Sequence, residues 1–185
     1  NIYQGVRCNR NYENITINEE NTFSETKFGV ILFNVRGDIV VDGNVFNDPG
    51  AGTINPSFYR TAITVQNPAA NRFFRQSVSI TNNEITDYRI GIHAANVQGL
   101  SIGGYDGSST PVPNEINYHL DDGSGLTNYH TGIWLQNCDH AVVKVNTIKN
   151  DALISSNPKF MRGLVADNST FLNICGNTVE KMGFA

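Results

Sequence analysis

Lysine is scarce in this chain, 5 residues of 185, and charged residues of both signs make up only 16% with a net charge of −4. So sparse and slightly acidic a surface offers no basic stripe for a phosphate backbone, which excludes nucleic acid as a partner. No run of eighteen apolar residues occurs, so no membrane-spanning helix is expected. The 3 cysteines, Cys8, Cys138 and Cys175, are odd in number and irregular in spacing. They form neither a disulfide framework nor a Cys-x-x-Cys metal site and read as small buried hydrophobes, with Cys8 on an inward position. Helical periodicity is missing as well. What the chain has in quantity is asparagine, 25 residues, and glycine, 17 residues.

These two residue types recur in phase. Gly29 and Asn34, Ala62 and Asn67, Gly91 and Asn96, Gly132 and Asn137, and Gly163 and Asn168 each stand five apart, with a weaker copy at Gly5 and Arg10. A second marker follows in every copy: Asn21-x-Phe23, Asn44-x-Phe46, Asn83-x-Ile85, Asn114-x-Ile116, Asn146-x-Ile148 and Asn177-x-Val179. Its spacings are 31, 32 and 31 from Asn83 onward, and the first two, 23 and 39, average to the same period.

Between the markers the period is two. Val78-Ser79-Ile80, Leu100-Ser101-Ile102, Ile133/Leu135 and Val143/Val145 alternate, and short alternating runs bounded by Gly and Asn read as strands. A unit of this size cannot bury its apolar face alone, whereas stacked copies can. The expected geometry is a coil whose strands pair in parallel with those above and below, about 4.8 Å apart. Asn34, Asn67, Asn96, Asn137 and Asn168 are expected to stack as a hydrogen-bonded structural ladder. The glycine before each strand is expected to supply the backbone angle of a turn.

The pattern Gly-Ile-x-x-x-Asn followed by Val-x-Ile-x-x-Asn-x-Ile resembles the right-handed parallel β-helix repeats of the pectate-lyase-like superfamily, NosD-type repeat proteins most of all. The resemblance covers the chain from Gly5 onward. It implies an all-β, right-handed parallel β-helix, a single-stranded solenoid of about six coils, occupying 1–185 as one segment. Gly183-Phe184-Ala185 resembles the opening of a further copy, so the expectation is a fragment of a longer solenoid with flanking coils as partners. The superfamily holds lyases, hydrolases, phage tailspikes and plain scaffolds, so architecture alone does not assign activity. An extracellular or cell-surface location is the expectation that goes with it.

Counting from each glycine, offsets +2 and +4 should face outward. One outward row reads Arg7, Ile31, Thr64, His93, Trp134, Val165, and the other Asn9, Phe33, Gln66, Ala95, Gln136, Asp167. Ile31 and Phe33 make an apolar spot, which is either covered by an insertion or is a contact with another chain, as in a tailspike-like adhesin. Trp134, Gln136, Gln66, His93 and Asp167 form a candidate carbohydrate-binding strip: an indole can stack on a sugar while amides bond its hydroxyls. Insertions near 47–60, 117–131 and 151–162 should leave along one edge beside this strip. Those near 68–76 and 103–113 leave from other corners.

A catalytic set is sparse. A glycoside hydrolase needs two carboxylates at defined separation, and the candidates are Asp122, Asp167, His93 and His119. His130, Asp151, Lys159 and Arg162 lie nearby in sequence, but Asp121-Asp122 stands in an ordinary turn context. A calcium-dependent lyase needs converging carboxylates and a base, and no such acidic cluster is visible. His93 lacks a second histidine at ligand spacing, so neither a metal nor a cofactor is expected. The sequence therefore favours a scaffold or stalk with a polysaccharide or glycan as partner. Part of a polysaccharide lyase or glycoside hydrolase is the alternative. Two glycosylation sequons, Asn14-Ile-Thr16 and Asn168-Ser-Thr170, are weak by themselves, and Asn168 is expected to point inward.

Overall fold

The computed structural model describes residues 4–10, 13–48, 60–69, 75–119, 130–151 and 161–182. Six coils of three strands follow one another: β1 (Gln4–Asn9), β2 (Ile15–Asn18) and β3 (Thr22–Ser24), then β4 (Phe28–Phe33), β5 (Asp38–Asp42) and β6 (Val45–Asn47). The third coil holds β7 (Thr61–Gln66), β8 (Arg75–Thr81) and β9 (Glu84–Thr86), and the fourth β10 (Ile90–Ala95), β11 (Gln98–Gly103) and β12 (Glu115–Tyr118). The last two hold β13 (His130–Gln136), β14 (Val142–Lys144) and β15 (Thr147–Asn150), then β16 (Met161–Asp167), β17 (Asn173–Cys175) and β18 (Thr178–Glu180). Corresponding strands pair in parallel into three six-stranded sheets. The fold is a parallel β-helix.

Alternation places the core. Val30 and Leu32, Ile63 and Val65, Ile92 and Ala94, and Ile133 and Leu135 point inward from the first sheet and are fully buried. The second sheet contributes Ile39/Val41, Val78/Ile80 and Leu100/Ile102. The third contributes Phe46, Ile85, Ile116 and Ile148. Phe23 stacks on Phe46 with centroids 4.7 Å apart, and Tyr88 meets Phe46 edge-on. No single coil could sequester these side chains, so each rung depends on its neighbours.

The continuous amide-to-amide ladder runs through the second marker. Asn21 Nδ2 donates to Asn44 Oδ1 at 2.8 Å, Asn44 to Asn83 at 3.1 Å, Asn83 to Asn114, Asn114 to Asn146, and Asn146 to Asn177, the last three at 2.9 Å. Each Nδ2 from Asn44 to Asn177 also donates to the carbonyl of a core-strand residue in the coil before, as Asn114 does to Ile80 O. This ladder lines the corner between the second and third sheets.

The first-marker asparagines do a different job. Asn34, Asn96, Asn137 and Asn168 hold φ between 48° and 56°, a conformation that asparagine tolerates better than most residues. The backbone N–H groups of Asn34, Asn67, Asn96 and Asn137 donate to the next coil at Gln66, Ala95, Gln136 and Asp167. Their side chains mix partners: Asn96 Nδ2 donates to Asn67 O at 2.7 Å, and Asn137 Nδ2 to Asn96 Oδ1 at 3.3 Å. The expected ladder at Asn34, Asn67, Asn96, Asn137 and Asn168 is thus a row mostly of turns with side-chain bonds linking Asn67, Asn96 and Asn137, and Asn168 is exposed rather than inward.

Three further expectations are corrected. Gly5, Gly29, Gly91, Gly132 and Gly163 are not among the positive-φ glycines, so they do not serve as turn hinges. A Cβ on Gly132 would stand 2.6 Å from Ile148 Cγ2 and 2.7 Å from Gly163 O, so these positions are empty because the core leaves no room. Val145 is not an inward strand residue, since β14 stops at Lys144 and Val145 turns at φ 52°. All three cysteines are free, but only Cys138 is buried. Cys8 is half-buried against the core and Cys175 is exposed.

Candidate functional site

Register brings the two outward rows of the first sheet together as the alternation requires. Arg7, Ile31, Thr64, His93, Trp134 and Val165 stand on successive rungs, as do Asn9, Phe33, Gln66, Ala95, Gln136 and Asp167. Ile31 and Phe33 are half-buried. His93, Trp134, Gln66 and Gln136 are half-buried too, Thr64 and Ala95 are buried, and Asp167 is exposed. Gln66 and Gln136 are separated by the small Ala95 rung, about 10 Å at two rung spacings.

Within the strip, contacts run along the solenoid axis. The His93 and Trp134 rings stack with centroids 4.7 Å apart and planes at 27°. Trp134 Nε1 donates to Asp167 Oδ2 at 2.8 Å, one rung further on. His93 Nε2 is buried without a hydrogen-bond partner among the described residues. Burial pushes its pKa below the ordinary histidine range, opposed in part by the Gln136 amide. One face of the indole is therefore covered by His93, while Val165 flanks the other side in register.

Asp167 is the one carboxylate in the two rows, and it already accepts the indole N–H. His119 lies elsewhere, at the corner where the chain leaves β12. Its backbone N–H donates to Asp87 Oδ1 at 2.7 Å and its Nδ1 is 3.3 Å from Asp87 Oδ2. That carboxylate orients the imidazole as the partner of a general base would, and the sequence reading missed it. Asp87 follows β9 at the place that Asp48 takes after β6, the row that caps the third sheet. Asp121, Asp122 and Lys159 lie outside the described residues, so of the catalytic candidates His93, His119 and Asp167 are placed while Asp122 is not.

Three insertions leave between the third sheet and the first, at 48–60, 119–130 and 151–161, and the residues flanking each touch across its base. Asp48 forms a buried ion pair with Arg60. The Tyr118 and His130 rings meet edge-on at 5.9 Å, and Asn150 Nδ2 donates to Met161 Sδ at 3.3 Å. The insertion between β11 and β12 is described throughout. Asp106 Oδ1 there accepts the N–H groups of Ser108 and Thr110, each at 2.8 Å, and Tyr105 is exposed.

Among the described residues no group of three or more His, Cys, Asp or Glu side chains is placed to hold a metal ion, and no helix is long and apolar enough to cross a membrane. Neither family models, nor curated proteins, nor solved structures match this chain.

Proposed function

We propose that the chain is a scaffold or stalk segment of an extracellular or cell-surface protein, with a shallow glycan-binding face on its first sheet. It is read as a right-handed β-helix of the pectate-lyase-like, NosD-type kind on the strength of the repeat markers. The observation that carries the scaffold reading is the Asn21–Asn44–Asn83–Asn114–Asn146–Asn177 ladder, which threads six rungs without interruption. Such a ladder satisfies the amides of this corner from rung to rung and gives a rod whose outward rows keep rung spacing.

The glycan-binding part rests on the strip. Trp134 offers an apolar edge, Gln66 and Gln136 offer amides, and Asp167 holds the indole in place. A linear neutral glycan fits this chemistry better than an acidic one, because the two rows bring a single cation, Arg7, at the far end. The Asp87–His119 pair is the feature that speaks for the second reading, part of a polysaccharide lyase or glycoside hydrolase.

A glycan panel incubated with the wild type and a Trp134→Ala variant separates them, with binding and products read in the same wells. Binding without cleavage, lost in the variant, supports the recognition face. Shortened or unsaturated products that vanish in His119→Ala move the assignment to the enzyme. Neither signal leaves the rod alone.

A further inference from the structure

Asn168 closes the row of first-marker asparagines, and its amide is placed unlike the others. Asn67, Asn96 and Asn137 are tied together through their side chains, and Asn67 Oδ1 also accepts the Val35 N–H at 3.2 Å. Asn168 is exposed, and its side chain makes no hydrogen bond among the described residues. Its neighbours hold the turn instead. Ser169 Oγ accepts the Cys138 N–H at 3.0 Å and donates to Asp167 O at 3.1 Å. The Thr170 N–H donates to Cys138 O at 2.9 Å, and its hydroxyl donates to Asp139 Oδ1 at 2.6 Å. The backbone at Asn168, with φ 48°, is anchored on both counts to the coil before, and the amide is left to solvent.

These three residues are also an Asn-x-Thr sequon. A bulky, solubilising N-linked glycan is kept only where the acceptor faces solvent and the fold does not use its Nδ2. An inward Asn168 would exclude it, and the exposed Asn168 meets both conditions. The surroundings fit as well. Phe171, three residues on, is 76% exposed, holds φ 50° and stacks on His140 with centroids 4.8 Å apart. Such a ring offers an apolar surface to the hydrophobic face of a sugar. In the other sequon, Asn14-Ile15-Thr16, the Asn14 side chain is committed: its Oδ1 accepts the Asp38 N–H at 3.0 Å and ties it to the second coil.

We propose that Asn168 Nδ2 is the acceptor of an N-linked glycan. The donor class is an oligosaccharide carried on a lipid diphosphate. A bond forms from Nδ2 to the sugar C1, the C1–O bond breaks, the lipid diphosphate leaves with the bonding pair, and Nδ2 loses one proton. The proposal rests on the extracellular reading above, because that donor is met on the secretory route.

The full chain, secreted from a eukaryotic host behind a cleavable leader, tests the site by peptide mass mapping. Trypsin places Asn168 in 163–181 and Asn14 in 11–27, so the two sequons are read apart. The 163–181 peptide should carry glycan, and peptide-N-glycosidase should remove it from the native protein, leaving aspartate at the acceptor. Asn168→Gln should lose the modification from this peptide. Thr170→Ser, which keeps a hydroxyl for Asp139, should retain it. A bare 163–181 peptide in the secreted protein, glycan on 11–27 alone, or release only after denaturation would each overturn the proposal. Because the host supplies the route, a bare Asn168 counts against the site alone and leaves the extracellular reading untouched.

Discussion

Trp134 and Asp167 sit on neighbouring rungs and on different outward rows, and the indole N–H reaches diagonally to the carboxylate at 2.8 Å. Trp134 is the only tryptophan in the chain, so its emission reports this site without interference from another indole. Asp167→Ala should release the indole edge to water and shift the emission to the red. The pair is at the surface, so stability should change by less than about 1 kcal/mol on chemical denaturation. An unshifted spectrum would mean that His93 stacking, not Asp167, fixes the ring.

Asn114 and Asn96 look alike in sequence but should respond unequally to mutation. The Asn114 side chain accepts from Asn83 N and Nδ2 and donates to Ile80 O and Asn146 Oδ1, with no exposed surface. Truncation to alanine strands several buried groups and should cost roughly 3–5 kcal/mol, at about 1–3 kcal/mol for each unsatisfied group. Asn96, at φ 56°, should accept glycine at a smaller cost of about 1–2 kcal/mol, since glycine adopts that angle without strain and only the part-buried bonds to Asn67 O and from Asn137 Nδ2 are lost. Equal losses in urea melts of Asn114→Ala and Asn96→Gly would contradict the division between ladder and turn.

That pair also shows where the sequence was legible. Period, coil number, strand alternation and both outward rows follow from spacing, because a parallel solenoid repeats one residue environment per coil. Spacing alone cannot say which of two in-phase asparagines points inward. Asn34 and Asn44 recur with the same period, and only the coil's path separates a left-handed turn residue from a corner amide. Trp134, His93 and Asp167 were legible as neighbours, but not that His93 covers the indole face. Asp87 escaped notice because its partner His119 is 32 residues away, and only the stacking of coils brings the two together.

Gly132 tests the corrected reason for the strand-opening glycines. Its backbone is not in the left-handed region, so alanine is conformationally acceptable, and the obstacle is Ile148 at 2.6 Å and the Gly163 carbonyl at 2.7 Å. Overpacking there should destabilise Gly132→Ala by about 1–3 kcal/mol or more. Pairing it with Ile148→Ala should recover part of the loss, because the second change removes the obstructing methyl groups. A double variant whose melting point equals the sum of two independent losses would rule out the packing explanation.

Val145 is the position where the chain departs furthest from what its backbone asks. It precedes the ladder residue Asn146 and holds φ 52°, while Gly43, Asn82 and Gly176 occupy the matching place before Asn44, Asn83 and Asn177 with φ of 67°, 55° and 64°. A β-branched residue in that region is strained, typically by about 1–2 kcal/mol. Asparagine relieves the strain without the unfolded-state entropy that glycine adds, and Asn82 shows that the corner accommodates it. Val145 is half-buried, so little apolar burial is lost. Val145→Asn should therefore stabilise the solenoid by about 1 kcal/mol, a rise of roughly 2–4 °C in melting temperature for a chain of this size. A lower melting temperature would mean that the valine methyl groups, which lie against Gly176, contribute more by packing than the backbone loses by strain.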